Sequence, residues 1–413
     1  MLRRKNYWLL FAILLLALTG LSPSMELDTS EGTYPRNQPQ NQSERPASGE
    51  QGHVQRLQIR VSLSSEELRE LEVISSNYTL SSGVEVVLSN VDSEETAEVL
   101  KHDLTIGESP DIIMTDGRNI RDLATLGYLL PVDVYQSVPG SSPLTALIPQ
   151  MQWNGYDWGV PLDIDPYVLV YSPVRLKELG LEESPKSLQQ WTEVLGHLRE
   201  EQDTEKYLLA LDTRNPYGYS AVLESMGLRS LSSGNEEALE WTQYARSYFY
   251  LTSRFNEEIW NMLQDGKLAV AALPLSEWQK HGNASLAADL PLADGGSPGN
   301  HMYSRFFALP AASGNPEAAV KWLAYITSRP AQLEWLENTG RLPALDELYR
   351  SGLPKAAGLP FDAGVLISDE SVTGEETAGR WSDIADAVTL LLTGKLDAAG
   401  YRERLSEHSE GNR

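Results

Sequence analysis

The chain has 413 residues, 41% of them apolar and 22% charged, which reads as a globular protein with room for two packed units plus extensions. Its formal net charge of −25 argues against nucleic acid or an anionic membrane surface as partner, and the absence of cysteine excludes disulfides, thiolate metal sites and a cysteine nucleophile. The six histidines, at 53, 102, 197, 281, 301 and 408, fall at no HxxxH or HExxH spacing, so a zinc hydrolase has little support and no metal or other cofactor is expected.

Residues 1–24 carry Arg3, Arg4 and Lys5, the apolar run Tyr7 to Leu18, and then small and polar residues. This is the layout of an export signal, and the run is short against the roughly 20 residues of a membrane span. An uncleaved N-terminal anchor is the alternative. Leu18-Thr19-Gly20 opens like a bacterial lipobox, but Leu21 follows, with no thiol to carry lipid. Residues 25–55, rich in Ser, Glu, Gln, Asn and Pro, read as a disordered tether.

A globular unit then opens with the strand Leu57 to Val61, the helix Ser65 to Leu80 and the strand Val84 to Leu88. A helix from Ser93 to Leu104, a buried-type strand from Ser109 to Met114 and a helix from Asn119 to Leu126 follow. Such alternation predicts a mainly parallel sheet covered on both faces. Ligands of such sheets bind beyond the carboxyl ends of the strands, which points to Thr115, Asp116, Gly117 and Arg118.

The central stretch, Trp153 to Tyr171, combines an aromatic turn at Asn154-Gly155 with an apolar strand from Tyr167 to Tyr171. Asp163 and Asp165, two apart, share one face of an extended segment. Next to a buried strand they must be solvated, paired or bound to something, so this segment is expected to cross between packed units along a wet cleft. A surface hairpin with both aspartates in water is the alternative.

Beyond it come a short helix from Pro173 to Leu179, a longer one opening at Ser184 and running to about Glu201, a strand at Leu208 to Leu211, an aromatic loop from Asn215 to Tyr219 and a helix from Ser220 to Met226. Helices are expected over Glu236 to Leu251 and Phe255 to Leu263, a strand over Leu268 to Leu273 and a crossing loop over Ala288 to Asn300. A strand at Phe306 to Leu309 precedes helices at Pro316 to Thr327, Gln332 to Thr339, Arg380 to Leu392 and Asp397 to Ser406.

The order of these features resembles the extracellular solute-binding proteins of ABC importers, in the oligosaccharide-binding group that includes maltose-binding protein. The resemblance is carried by Ser109-Pro110-Asp111-Ile112-Ile113 with Gly127 to Pro131, by Trp153-Asn154-Gly155 with Gly159-Val160-Pro161 and Leu169-Val170-Tyr171, and by Pro185-Lys186-Ser187 with Trp191. Asp265 to Val270, Asn315 to Ala319, Tyr325 to Ser328 and Thr339 to Pro343 continue it to the C-terminus. It implies an α/β, two-lobe periplasmic-binding-protein-like fold with discontinuous lobes, a hinge and an interlobe cleft. The lobes would be 56–162 plus 291–339 and 163–290 plus 340–413.

By the same resemblance, Asp116 and Arg118 fall where the first lobe supplies polar contacts, and Asp165, with Asp163 beside it, where the crossing often places an acidic residue. Tyr217, with Tyr219 in the same loop, and Trp278 fall where aromatic platforms line the second lobe, and Trp381 where a further platform is common. Carboxylates and guanidinium groups fork onto vicinal hydroxyls, and flat rings pack on the apolar face of a pyranose. Each aromatic could equally anchor a core, Arg118 could pair with Asp116 or Asp122, and Asp163 could cap a turn. The expected protein is an extracytoplasmic, monomeric, non-enzymatic receptor, secreted or held at the outer membrane face, that passes a small-molecule ligand of oligosaccharide type to ABC permease subunits. The alternatives are a sensor for a membrane signalling protein and a glycosidase, since Asp163 and Asp165 would stand roughly 7 Å apart on a strand.

Overall fold

The computed structural model describes residues 55–91, 96–135, 142–228, 231, 235–292, 301–354, 358–367 and 381–410, within a unit spanning Val54–Arg413. The expected export signal, and the tether up to residue 54, lie outside the described residues. β1 (Arg56–Val61) pairs in parallel with β2 (Glu85–Asn90) and β3 (Ile112–Asp116). Between β1 and β2 the helix Ser65–Ser82 starts at a capping box, in which Ser64 and Glu67 each accept the other's backbone N–H, and ends at Gly83 with φ 75°. Such a box satisfies two backbone donors that would otherwise lack a partner at the helix start.

β4 (Leu129–Leu130) is short, and β5 (Gln152–Trp153) and β6 (Tyr156–Asp157) form a hairpin around the expected aromatic turn. Its turn needs positive φ at Asn154 and Gly155, 53° and 80°, and this dipeptide tolerates both. β7 (Val160–Tyr171) follows, then β8 (Tyr207–Asp212), β9 (Phe249–Thr252), β10 (Leu268–Pro274), β11 (Ala287–Asp289), β12 (Met302–Pro310) and β13 (Leu342–Pro343). They build a mixed sheet in the order β2-β1-β3-β12-β7-β10-β8-β9, with β4 on β12 and β11 and β13 on β7.

The expectation of a mainly parallel sheet is corrected here. Parallel pairing is confined to β2-β1-β3 and β10-β8-β9, while β7 and β12 run antiparallel to each other and to their outer neighbours β10 and β3. β7 is also longer than the five-residue run seen in the sequence: all 12 residues from Val160 to Tyr171 are buried strand, through Pro161 and Pro166. Proline normally marks a strand end, because it cannot donate to the ladder. Pro161 is tolerated beside a bulge, where the register slips between Arg305 and Phe306. The helix expected to run to Leu251 ends at Ala245, and Phe249–Thr252 becomes β9. The aromatic segment expected as a loop is the first turn of the helix Tyr217–Ser225.

Three apolar clusters fill the molecule. One packs Leu57, Ile59, Ile112 and Phe307 under Leu71, Trp322 and Trp335. A second packs Leu209, Leu211 and Val270 with Trp191, Tyr219 and the stripe Ile384, Val388, Leu391 and Leu392 of the helix Trp381–Leu392. A third runs between them, from Ile113 and Ile120 through Ile164, Val168 and Phe306 to Leu263 and Leu273. Among the described residues no helix is long and apolar enough to cross a membrane.

Candidate functional site

Alternation along β7 and β12 builds one polar face. Asp163, Asp165 and Tyr167 lie on it from β7, and His301, Tyr303 and Arg305 from the facing strand, where Arg305 sits opposite Asp163 and Tyr303 opposite Asp165. The ladder extends one step further, with the Tyr167 N–H donating to the His301 carbonyl at 2.9 Å. Ile164, Val168 and Phe306 point the other way, into the apolar cluster between the two ends.

One end of this face is a closed ion-pair network. Arg305 Nε donates to Asp163 Oδ1 at 2.9 Å, its terminal nitrogen reaches Asp163 Oδ2 and Glu67 Oε1, and Trp335 Nε1 donates to Asp163 Oδ2 at 2.8 Å. Arg341 bridges Glu67 Oε1, at 2.6 Å, to Asp165, which also accepts from Ser276 N at 2.9 Å and Ser276 Oγ at 2.7 Å. Burial alone would raise the Glu67 carboxyl, but the charges of Arg305 and Arg341 and the donors Arg305 and Ser64 hold it far below the usual range. Asp163 and Asp165 are 1% and 3% exposed, so the alternative of a surface hairpin with solvated aspartates is corrected. Of the fates open to them in sequence, pairing is the one observed.

The other end gathers four of the residues singled out in the sequence. Asp116 ends β3 and caps the helix Gly117–Thr125, accepting from the Arg118 N–H at 2.9 Å. Gly117 is required there, since a Cβ would lie 2.3 Å from Gln150 Oε1 and 2.5 Å from the Phe306 ring. Tyr217, in its own helix's first turn, donates its hydroxyl to both Asp116 oxygens, at 2.7 and 2.8 Å. The Trp381 ring stands 5.1 Å from the Tyr217 ring, and the Arg118 guanidinium lies over it at 5.0 Å. Burial raises the Asp116 carboxyl, against the Arg118 N–H, the Tyr217 hydroxyl, the Arg118 charge and the Trp381 side chain, which lower it.

Around this group stand residues that the sequence reading left out. Tyr167 stacks on Tyr217 at 5.9 Å and donates to Asn215 Oδ1 at 3.1 Å, while Tyr303 meets the edge of Tyr217 at 5.5 Å. Both follow from period-two alternation beyond Asp163-Asp165 and Arg305, a signal hidden by Pro166 and by the strand start expected at Phe306. The structure does not bring the other singled-out residues here. Thr115 is buried on β3 and accepts from Asn119 Nδ2 at 3.4 Å, and Tyr219 is buried with its hydroxyl 3.0 Å from Thr242 Oγ1. Trp278, in the helix Leu275–His281, packs half-buried against the cluster between the two ends, with its ring against Gly282. Among the described residues no group of His, Asp or Glu is placed to hold a metal ion.

Solved structures share this fold at low sequence identity. The GacH receptor of Streptomyces glaucescens, solved unliganded and with acarbose, matches with a TM-score of 0.65 and 18% identity over 85% of this chain and 96% of that one. The maltose/maltodextrin-binding domain MalE of Bdellovibrio bacteriovorus, bound to maltotriose, gives 0.64 and 16% over 86% and 99%. An ABC transporter solute-binding protein of Agrobacterium vitis S4, with bound D-mannitol, gives 0.62 and 15% over 87% and 98%. A search of curated proteins finds no match. The sequence pattern of the bacterial extracellular solute-binding proteins, by contrast, matches residues 75–363, well over half of the 413, and the chain therefore belongs to that family.

Proposed function

We propose that this solute-binding protein captures a carbohydrate of oligosaccharide type and delivers it, without turning it over, to an ABC permease. The observation that carries the reading is the convergence of Asp116 and Arg118, from one end of the sheet, on Tyr217 and Trp381 from the other. A carboxylate and a guanidinium beside stacked rings are the groups that grip vicinal hydroxyls and the apolar face of a pyranose. The reading places a cleft there, between lobes formed by 56–162 with 291–339 and by 163–290 with 340–413, with hinge segments at β7, β12 and Thr339 to Leu342. Asp163 and Asp165 then hold the crossings, and Thr115 and Tyr219 support the strand and helix that carry Asp116 and Tyr217. The similar proteins bound to acarbose, maltotriose and D-mannitol support a polyhydroxylated ligand. The protein acts as a monomer outside the cytoplasm, without N-terminal lipid because Leu21 stands where a lipobox has cysteine.

A thermal-shift screen against neutral oligosaccharides, monosaccharides, polyols, and acidic and amino sugars tests this. A ligand at 100 times its Kd adds about 2.7 kcal/mol to stability, an easily read rise in Tm. No shift with any carbohydrate, alongside a shift with amino acids or peptides, would overturn the ligand class.

A further inference from the structure

On the face shared by β7 and β12, four side chains have hydrogen-bond partners and the imidazole of His301 has none. Asp163, Asp165 and Arg305 lie within the ion-pair network, and the Tyr167 hydroxyl bonds Asn215. His301 is fully buried, and neither Nδ1 nor Nε2 has a hydrogen-bond partner. Trp241 and Trp322 also bury an indole nitrogen without a partner, but each is a single N–H inside an apolar cluster. The imidazole strands two such atoms, and it does so at the Tyr167 end of the face. Its backbone pairs with Tyr167, whose ring stacks on Tyr217, and the charge of Arg118 acts on its ring.

Burying a polar atom without a partner destabilises the fold, and a leucine of similar size would avoid the loss. A buried ring kept unsatisfied, on a residue whose backbone pairs with Tyr167 and whose ring the Arg118 charge reaches, is therefore explained by a partner that arrives from outside the chain. We infer that His301 is a direct ligand contact of the carbohydrate site, bonding a hydroxyl of an uncharged sugar. Burial, with the Arg118 charge, pushes the imidazole down to about 3, so at neutral pH the ring is uncharged and presents one N–H donor and one bare nitrogen acceptor. A hydroxyl is itself both donor and acceptor and can serve either nitrogen. A ligand carboxylate would have to approach Asp116, and a ligand ammonium would have to approach Arg118, so the charges in the site favour a neutral polyol over an acid or amino sugar.

The inference rests on the carbohydrate reading, and one experiment separates their failures. Calorimetric titration of the best sugar from the screen is run on the wild type, His301→Leu and His301→Gln. The leucine variant is expected to keep or raise unliganded Tm while affinity falls at least tenfold. The glutamine variant, whose amide carries both a donor and an acceptor, is expected to recover part of that affinity, and it carries the test if the leucine variant does not fold. Neutral sugars are expected to outrank their uronic and amino counterparts. A wild type that binds no carbohydrate overturns the carbohydrate reading and the inference together. A wild type that binds, with variants within twofold of it, overturns His301 alone, as does a fall in Tm with affinity unchanged.

Discussion

Asp163→Asn is the sharpest test of how the crossing strands are held. The substitution keeps the shape of the side chain and removes one charge from a site where Asp163 and Arg305 are 1% and 3% exposed. Arg305 would be left with Glu67 as its anionic partner, which it already shares with Arg341, and the Trp335 N–H would face an amide in place of a carboxylate oxygen. Breaking a buried ion pair by removing one partner typically costs about 3–5 kcal/mol, because the remaining charge stays buried and uncompensated. An exposed pair would lose about 0–1 kcal/mol. At roughly 2–4 °C per kcal/mol for a large domain, the expected fall in Tm is on the order of 10 °C. Scanning calorimetry of the unliganded proteins reads it directly, and Arg305→Met with the double variant completes a cycle whose coupling should exceed about 2 kcal/mol. A loss below about 1 kcal/mol for Asp163→Asn would refute the argument that this network holds β7, β12 and the helix Ser65–Ser82 together.

Trp381→Ala should weaken sugar binding at least tenfold, about 1.4 kcal/mol, because the stripe Ile384, Val388, Leu391 and Leu392 anchors its helix without it; a loss of about 3–5 kcal/mol in unliganded stability with near-normal affinity would make it a core residue instead. Glu67→Gln preserves a capping-box side chain but removes the anion between Arg305 and Arg341. Since the Glu67 carboxyl is held far below its unfolded value, its contribution is full above about pH 4.3 and fades as pH falls below it, so the stability gap between wild type and variant should be widest at pH 7 and only begin to narrow between pH 4.3 and pH 3. His301 runs the other way: held at about 3 when folded against about 6.5 unfolded, it withdraws stability as pH falls through that window, and His301→Leu should flatten the acid limb there. Small-angle scattering should show a smaller radius of gyration at saturating sugar, and an unchanged radius would count against hinge closure.

The sequence made the fold legible wherever local rules and tertiary pairing agree. Ser64 and Glu67 announce the first helix, Asn154-Gly155 announces its hairpin, and the stripe after Trp381 has helical spacing, each visible within a few residues. It failed at β7 and β12, where partners far apart in the chain override local propensity. Pro161 and Pro166 break the local strand pattern, yet the strand runs through both, with Pro161 beside the bulge at Arg305 and Phe306 and Pro166 paired with Met302. The same gap concealed part of the candidate site. Asp116 and Arg118 were visible beyond a strand end and Tyr217 and Trp381 through the family resemblance, whereas Tyr167, Tyr303 and His301 acquire meaning only once two strands more than 100 residues apart are laid in register.

That register also explains why one polar face divides into two regimes. Toward Asp163 every charge meets an opposite charge in the chain itself, through Arg305, Arg341 and Glu67, and the face is closed to solvent. Toward Tyr167 the pairing thins: Asp116 is held by a phenol, a backbone N–H and the nearby guanidinium, and His301 by nothing. Folding raises the Asp116 carboxyl, so its ionised form is disfavoured in the native state and its contribution to stability declines as pH rises from about 3.9 toward the raised value. Asp116→Asn should therefore hold or raise unliganded stability at pH 7 while lowering sugar affinity at least tenfold, the opposite sign to Asp163→Asn. Two aspartates near one strand pair would then respond oppositely to the same substitution, and if both instead destabilise alike with affinity intact, the carboxylate of Asp116 belongs to the scaffold and the division of the face fails.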